Sequence, residues 1–339
     1  MEKRIESLDF IRGISILGIL LINIPAFQTV TEGFKYPNYS ETELLINNII
    51  TVGIEKKFFG LFSILFGIGI GIFMDNSVKK NLSPYKMMSR RLVFLLIFGL
   101  LHTIFIFSGS ILVPYAIIGL IVFGLYRLKA NILKLIIIIL SIFYTIGEFL
   151  KIKNIEFSIL NLFLNDSILI LIFFIFGLYL TKSRYIYNES NEKNNFKRNC
   201  GILLLLGFII IISVILYMNH LLFLMDEQSI SILVIPQAIL YFLILENISL
   251  KINSRYFKLF FSTIGKMAFT NYVMQSIIGI ILMKILGISF PTTFEVIYLT
   301  MIIILINYIL SYCILKYYKQ GPLEWLWRKF TYKKVYKNT

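Results

Sequence analysis

Ten apolar windows, at residues 8–27, 58–74, 92–107, 111–126, 132–149, 159–180, 202–218, 230–245, 267–286 and 296–315, constrain this chain more than any other feature. Most are about 17–20 residues long, which is what a helix needs to cross roughly 30 Å of hydrocarbon at 1.5 Å per residue. The sixth is the least regular, because Asn161, Asn165 and Asp166 interrupt it. With 58% apolar residues and a mean hydropathy of +0.82, against about 45–50% apolar in ordinary globular domains, the chain has more apolar surface than a water-soluble core can hide. The expected fold is therefore all-α: a polytopic membrane helical bundle of about ten transmembrane helices, with the lipid bilayer as its solvent. The first window carries Asp9 and Arg12 and ends in Pro25-Ala26-Phe27 without a small-residue cleavage pattern, so it reads as a retained span and not as a signal peptide.

A net charge of +15 would suggest nucleic acid in a soluble protein, but here its distribution follows the positive-inside rule. With the N-terminus inside, 26 Lys and Arg fall on the cytoplasmic side and 6 outside, with Arg12 left in the first helix. Both ends are expected in the cytoplasm, and no nucleic-acid partner is implied. The polar stretch 181–199 reads as a cytoplasmic linker between an N-terminal half, residues 1–185, and a C-terminal half, residues 186–339. The tail from Gln320 interleaves basic residues with Trp325, Trp327, Phe330 and Tyr332, as suits a segment lying at the inner membrane surface. Cys200 and Cys313 imply neither a disulfide framework nor a metal site and read as small packing residues.

Polar side chains are expensive in hydrocarbon, so the few inside the windows mark the places to look for function. Asp9, Arg12 and Asn23 lie three and eleven residues apart, on one stripe of the first helix. They read either as a functional polar stripe or as a local ion pair with a packed amide. His102 is the only histidine within a window. It can serve as a general base towards a hydroxyl or amine, or be a satisfied structural residue. His220, near Asp226 and Glu227, reads as an outer-loop surface residue. Gly60, Gly67, Gly69 and Gly71 fit close helix packing better than a phosphate loop, since no strand precedes them. Asn271 and Gln275, like Asn307 and Ser311, are four apart on one helix face and suit hydrogen bonding between helices. The short turn Ser108-Gly109-Ser110 makes the third and fourth windows an antiparallel hairpin around His102.

Several stretches resemble the YeiB-like family of bacterial inner-membrane proteins. They are Ser7-Leu-Asp9-Phe-Ile-Arg12-Gly13 continuing to Asn23, Phe62-Ser-Ile-Leu-Phe-Gly67, Gly99-Leu-Leu-His102, Gly265-Lys-Met-Ala-Phe-Thr-Asn271-Tyr272-Val-Met-Gln275, and Gln320-Gly-Pro-Leu-Glu324-Trp325-Leu-Trp327-Arg328. The Leu-Asp-x-x-Arg-Gly opening with the membrane Asn also looks like that of the heparan-glucosaminide acetyltransferases. The resemblance implies a multi-pass protein of the bacterial plasma membrane and acetyl-CoA, or another acyl-CoA, as a non-covalent co-substrate bound from the cytoplasm. Asp9 and Arg12 would organise the donor site, Asn23 would hold the acyl carbonyl, and His102 would activate the acceptor. The chain departs from the acetyltransferases in having no histidine between Gln28 and Lys57, and from the YeiB-like pattern in having Ser110 where an acidic residue is usual.

The expected activity is transfer of an acyl group from cytoplasmic acyl-CoA to a hydroxyl or amine acceptor of the envelope, or to an exported molecule. Arg90, Arg91 and Lys266 either hold the CoA phosphates or set topology. The rival readings are a transporter of a small or lipidic solute and a non-catalytic membrane subunit.

Overall fold

The computed structural model of the protein describes residues 5–27, 39–152, 165–187, 207, 231–252 and 254–332. Among them the regular structure is entirely helical. The helices are α1 (Glu6–Asn23), α2 (Glu41–Gly53), α3 (Lys57–Lys79), α4 (Pro84–Phe105), α5 (Leu112–Gly124), α6 (Ala130–Ile152), α7 (Asp166–Lys182), α8 (Val234–Lys251), α9 (Arg255–Lys266), α10 (Ala268–Leu286), α11 (Thr293–Tyr317) and α12 (Pro322–Tyr332). Seven stretches of the described residues are long and apolar enough to cross a membrane: Glu6–Ala26, Glu41–Lys79, Pro84–Phe105, Ala130–Lys151, Val234–Lys251, Ala268–Leu286 and Thr293–Tyr317. Apart from Gly207, the window at 202–218 lies outside the described residues, as do Cys200, His220, Asp226 and Glu227.

Helix α6 displays the solvent that this fold requires. Ile132, Leu135, Ile139, Ile142, Phe143 and Ile146 stand exposed at three- and four-residue intervals along one face. In water such a stripe would drive association, whereas against lipid tails it is unremarkable.

Three differences from the windows have local causes. α2 was not among them: Ser40 and Glu43 form a reciprocal capping box that starts a helix in what reads as an outer loop. α9, with its charged face, was likewise hidden within a basic loop. α7 begins at Asp166 because the Asn165 side chain accepts from the Ser167 and Ile168 amides at 3.0 and 3.3 Å, so Asn165, one of the polar residues that interrupt the window, is a cap, while Asn161 lies outside the described residues. Cys313, expected to pack, is exposed on α11, sharing its outward face with Ile309 and Tyr312.

Packing divides the chain into two compact units, each drawing residues from both sides of residue 185. The first comprises residues 1–58, 89–116 and 249–339. In it α1 and α9 cross backbone to backbone: a Cβ on Gly13 would strike the Phe261 carbonyl, and one on Gly265 would strike the Asp9 carbonyl. Phe10 fills the flank of this crossing against Phe257 and Phe261. Farther along, Leu20, Ile24 and Phe27 bury themselves with Phe107, Met283, Leu299 and Ile303. α10 ends at left-handed Gly287 (φ 68°), and α11 restarts at a Thr292–Glu295 capping box, so the two form a tight antiparallel hairpin.

The second unit comprises residues 59–88 and 117–248. Its glycines do what the spacing suggested: Gly67 abuts the Phe174 backbone, Gly71 abuts Thr181, and Gly177 abuts the Ile64 carbonyl, so α3 and α7 approach closely, while Gly69 faces open space. Asp75 accepts from the hydroxyls of Tyr126 and Tyr187 at 2.5 and 3.3 Å.

Candidate functional site

Every residue singled out for chemistry among the described residues belongs to the first unit. At one end of α1, Arg12 Nη1 donates to Asp9 Oδ1 at 2.8 Å, a three-residue ion pair in which Asp9 is buried and Arg12 partly exposed. The Gly13–Gly265 crossing brings α9 against this turn and keeps Asp9 out of solvent. Arg12 in turn lies within electrostatic reach of Arg91 on α4. Arg91 does not stand free: its guanidinium lies 3.8 Å over the Trp327 ring, and Trp327 Nε1 donates to the Arg91 carbonyl at 2.7 Å. The tail helix α12 thus clamps α4 at the level of the two arginines.

Arg90, its neighbour, is half-buried and makes no ion pair among the described residues. Lys266 faces elsewhere, into a groove shared with Lys316 and Lys319. The cations expected at a donor site therefore separate into two groups, Arg12 with Arg91 and Lys266 with the end of α11.

A second level lies deeper, and its centre is Tyr272 on α10. The Tyr272 hydroxyl accepts from the Ile111 amide at 3.1 Å and hydrogen-bonds with the side chains of Asn23 and Ser110. Its ring centroid is 5.6 Å from that of His102. Four segments converge there because each is shaped to do so. Pro25 ends α1 in a single 3-10 turn just past Asn23. Gly99 lets α4 close on Leu112 and Val113 of α5. Ser110 turns the chain by accepting from the Leu112 amide at 3.4 Å. The carbonyl of His102 receives the Ile106 and Phe107 amides that end α4.

His102 is almost wholly buried, and neither ring nitrogen meets a hydrogen-bond partner among the described residues. The same is true of Gln275 Nε2 and of both amide atoms of Asn307. Of the four residues expected to bond between helices, Asn271 and Ser311 do so: they exchange hydrogen bonds at 2.9 and 3.0 Å, and Asn271 Nδ2 also reaches the Ile264 carbonyl at 2.9 Å. Since most buried polar atoms in folded proteins are paired, His102, Gln275 and Asn307 hold hydrogen-bonding capacity that a polar guest could use.

The two levels are linked by matching intervals. Arg12 precedes Asn23 by eleven residues on α1, and Arg91 precedes His102 by eleven on α4, about 16 Å of rise in each case. The arginines are near one another, and Asn23 and His102 both reach Tyr272. Tyr272, Trp327 and Glu324 were not among the candidates read from the sequence. For Tyr272 the signal was a hydroxyl in an apolar span, one residue after Asn271 and three before Gln275.

Residues 180–334 match a family described as a protein of unknown function (DUF418). Across nearly the whole chain, 98%, it is 26% identical to the uncharacterized protein YxaH of Bacillus subtilis (strain 168), over 95% of that protein. It is 26% identical to an uncharacterized 39.9 kDa protein from the amylase 3' region of Bacillus acidopullulyticus, over 99% of this chain and 96% of that one. It is 24% identical to the uncharacterized protein YeiB of Escherichia coli (strain K12), over 98% and 97%. No solved structure matches it. Full-length similarity to these proteins, together with the match to that family model over residues 180–334, bears out the resemblance to YeiB-like proteins read from the motifs.

Proposed function

We propose that this protein is a membrane-embedded acyltransferase that moves an acyl group from acyl-CoA to a hydroxyl or amine acceptor of the envelope or of an exported molecule. One observation carries the reading: a buried imidazole with both nitrogens unpartnered among the described residues, beside a tyrosine hydroxyl that also meets Asn23. A buried polar atom left without a partner costs about 1–3 kcal/mol, and that cost is offset when a substrate supplies the bond.

His102 takes the proton of the acceptor as its oxygen or nitrogen attacks the thioester carbonyl. The carbon–sulfur bond breaks, and the imidazolium returns the proton to the leaving thiolate. Asn23 and Tyr272 hold amide and hydroxyl groups where the carbonyl oxygen gains charge. Arg12 and Arg91, about 16 Å away along their helices, are the cations for the CoA phosphates, with Arg90 beside them. Ser110, which turns the hairpin, provides no charge partner for His102, so the imidazole works with neutral neighbours.

The same reading includes about ten transmembrane helices with both termini in the cytoplasm of a bacterial plasma membrane. What supports it is the ten apolar windows and the division of 26 cations to one side and 6 to the other. That topology brings Arg12 and Arg91 to the acyl-CoA side.

The test uses purified protein in detergent with acetyl-CoA and an envelope membrane fraction, following both binding and release of free thiol. Wild type should bind and release, Arg12→Ala should lose binding at least tenfold, and His102→Gln should bind normally but release no thiol above background. If wild type binds no acyl-CoA, or His102→Gln releases thiol at the wild-type rate, the proposal fails. Flux of a solute in proteoliposomes without a donor would instead favour a transporter.

A further inference from the structure

A groove of about 420 Å³ opens where the C-terminal ends of α9 and α11 meet, lined by Lys266, Lys316, Lys319, Tyr312, Leu259 and Leu315 among others. It contains three ammonium groups and no carboxylate among its lining residues. None of the three lysines makes an ion pair among the described residues. Lys316 Nζ lies 5.7 Å over the ring of Tyr317, a contact loose enough to leave its hydrogen-bond donors available. The alternative explanation is that Lys266 and Lys316 merely complement the two helix ends at which they stand. Each helix end carries roughly half a negative charge. Three lysines exceed that by about two positive charges, so the groove stays net positive even after the single negative charge of a phosphodiester headgroup is seated there.

The groove crowns an apolar track. Tyr298, Met301, Leu305, Ile309 and Tyr312 are each about half exposed or more and recur every three or four residues on α11. That face runs about 21 Å, longer than the roughly 15 Å of one lipid leaflet. Tyr312 and Tyr318 at its upper end suit headgroup depth. A soluble anion would have no use for the track, whereas a lipid would fill both parts.

We infer that the groove between the ends of α9 and α11 is a binding site for an anionic phospholipid, with its phosphate held by Lys266, Lys316 and Lys319 and its acyl chain lying along the outward face of α11. The site is separate from the His102–Tyr272 centre and does not depend on the catalytic reading.

The experiment is native mass spectrometry of the full-length, delipidated protein titrated with phosphatidylglycerol, with phosphatidylcholine as the neutral probe and coenzyme A as the soluble phosphate probe. Phosphatidylglycerol should bind at least tenfold more tightly than phosphatidylcholine. Lys316→Gln with Lys319→Gln should abolish that preference, and Lys319→Glu alone should weaken it at least fivefold. Lys134→Gln, on an exposed face of the second unit, should leave it unchanged. Equal binding of the two lipids, an unaffected double variant, or displacement of phosphatidylglycerol by coenzyme A would each overturn the inference. The last would assign the lysines to a soluble phosphate. The exposed lysines tolerate substitution, and matching far-UV circular dichroism establishes that the variants are folded.

Discussion

Helix α10, which carries Asn271, Tyr272 and Gln275, has no side-chain cap of its own, because Met267 at its start offers none. The cap comes from another helix. Glu324 of α12 accepts from the Phe269 amide at 2.8 Å and the Thr270 amide at 3.1 Å, and its second oxygen accepts from Thr270 Oγ1 at 2.6 Å. Thr270 Oγ1 meanwhile accepts from the Leu323 amide at 3.2 Å, so the exchange ties α12 to α10 in both directions. Gly321 belongs to the arrangement, since a Cβ there would crowd Glu324 Oε2 and Thr270 Oγ1.

Glu324→Ala exposes the magnitude of this cap. A capping side chain contributes about 0.5–2 kcal/mol, hydrogen bonds to an ionised group about 1.5–3 kcal/mol, and a carboxylate at a helix N-terminus about 0.3–1 kcal/mol. These describe overlapping parts of one contact, so the expected loss is about 2–4 kcal/mol and not their sum. Glu324→Gln keeps an acceptor for the amides and gives up the charge, for a loss of about 1 kcal/mol. The assay is equilibrium unfolding in mixed micelles of rising SDS fraction, followed by far-UV circular dichroism. The fluorescence of Trp325 and Trp327, both on α12, is a second probe. In Glu324→Ala the fluorescence transition should precede the loss of helix, because α12 detaches first. A loss below about 0.5 kcal/mol, or coincident transitions at the wild-type midpoint, would refute the cap as the tie between these helices.

The same unfolding assay measures the other expectations. Gly13→Ala and Gly265→Ala place a methyl group against main-chain carbonyls that cannot swing aside, and each should cost about 2 kcal/mol or more. Gly69→Ala, facing open space, should be neutral or stabilising by about 0.5–1 kcal/mol. Tyr272→Phe leaves the Ile111 amide and the Asn23 and Ser110 side chains short of a partner and should cost about 1–3 kcal/mol. A double-mutant cycle of Asn271→Ala and Ser311→Ala should return a coupling of roughly 0.6–1.7 kcal/mol, the range for hydrogen bonds between membrane helices, and a value near zero would deny the pair its role.

What could be read in the sequence was whatever depends on a single helix. Hydrophobic length located α1, α10 and α11 to within a few residues, and the end but not the start of α4, because the bilayer imposes that length on each span separately. The small residues of α3 could be assigned to packing because a glycine face has few other uses in lipid. The short polar helices were lost for the opposite reason. α2 depends on the Ser40–Glu43 capping box and α9 on an amphipathic face, and neither raises the hydropathy that marks a span. Asn165 misled by resembling a break in a window when it starts a helix.

The site divides along the same line. His102, Asn23 and Arg12 stood out because a polar group in hydrocarbon needs a reason to be there. Their meeting at Tyr272 did not stand out, because it depends on which helices are neighbours. Nothing in residues 8–27 says that α1 lies within reach of α10, and an arginine eleven residues before an amide on one helix carries no information about an arginine eleven residues before an imidazole on another. Once packing brings Arg12 near Arg91 and joins Asn23 and His102 through Tyr272, the equal spacing becomes a constraint. Sliding α4 by one turn against α1 would move His102 about 5.4 Å from Tyr272 and carry Arg91 off Trp327 in the same motion. The Arg91–Trp327 clamp therefore sets the register of His102 from about 16 Å away. If the proposed acyl transfer holds, removing the Trp327 ring by Trp327→Leu should lower thiol release while acyl-CoA binding, assigned in that proposal to Arg12, falls less. Equal losses of both would show that the clamp serves stability alone.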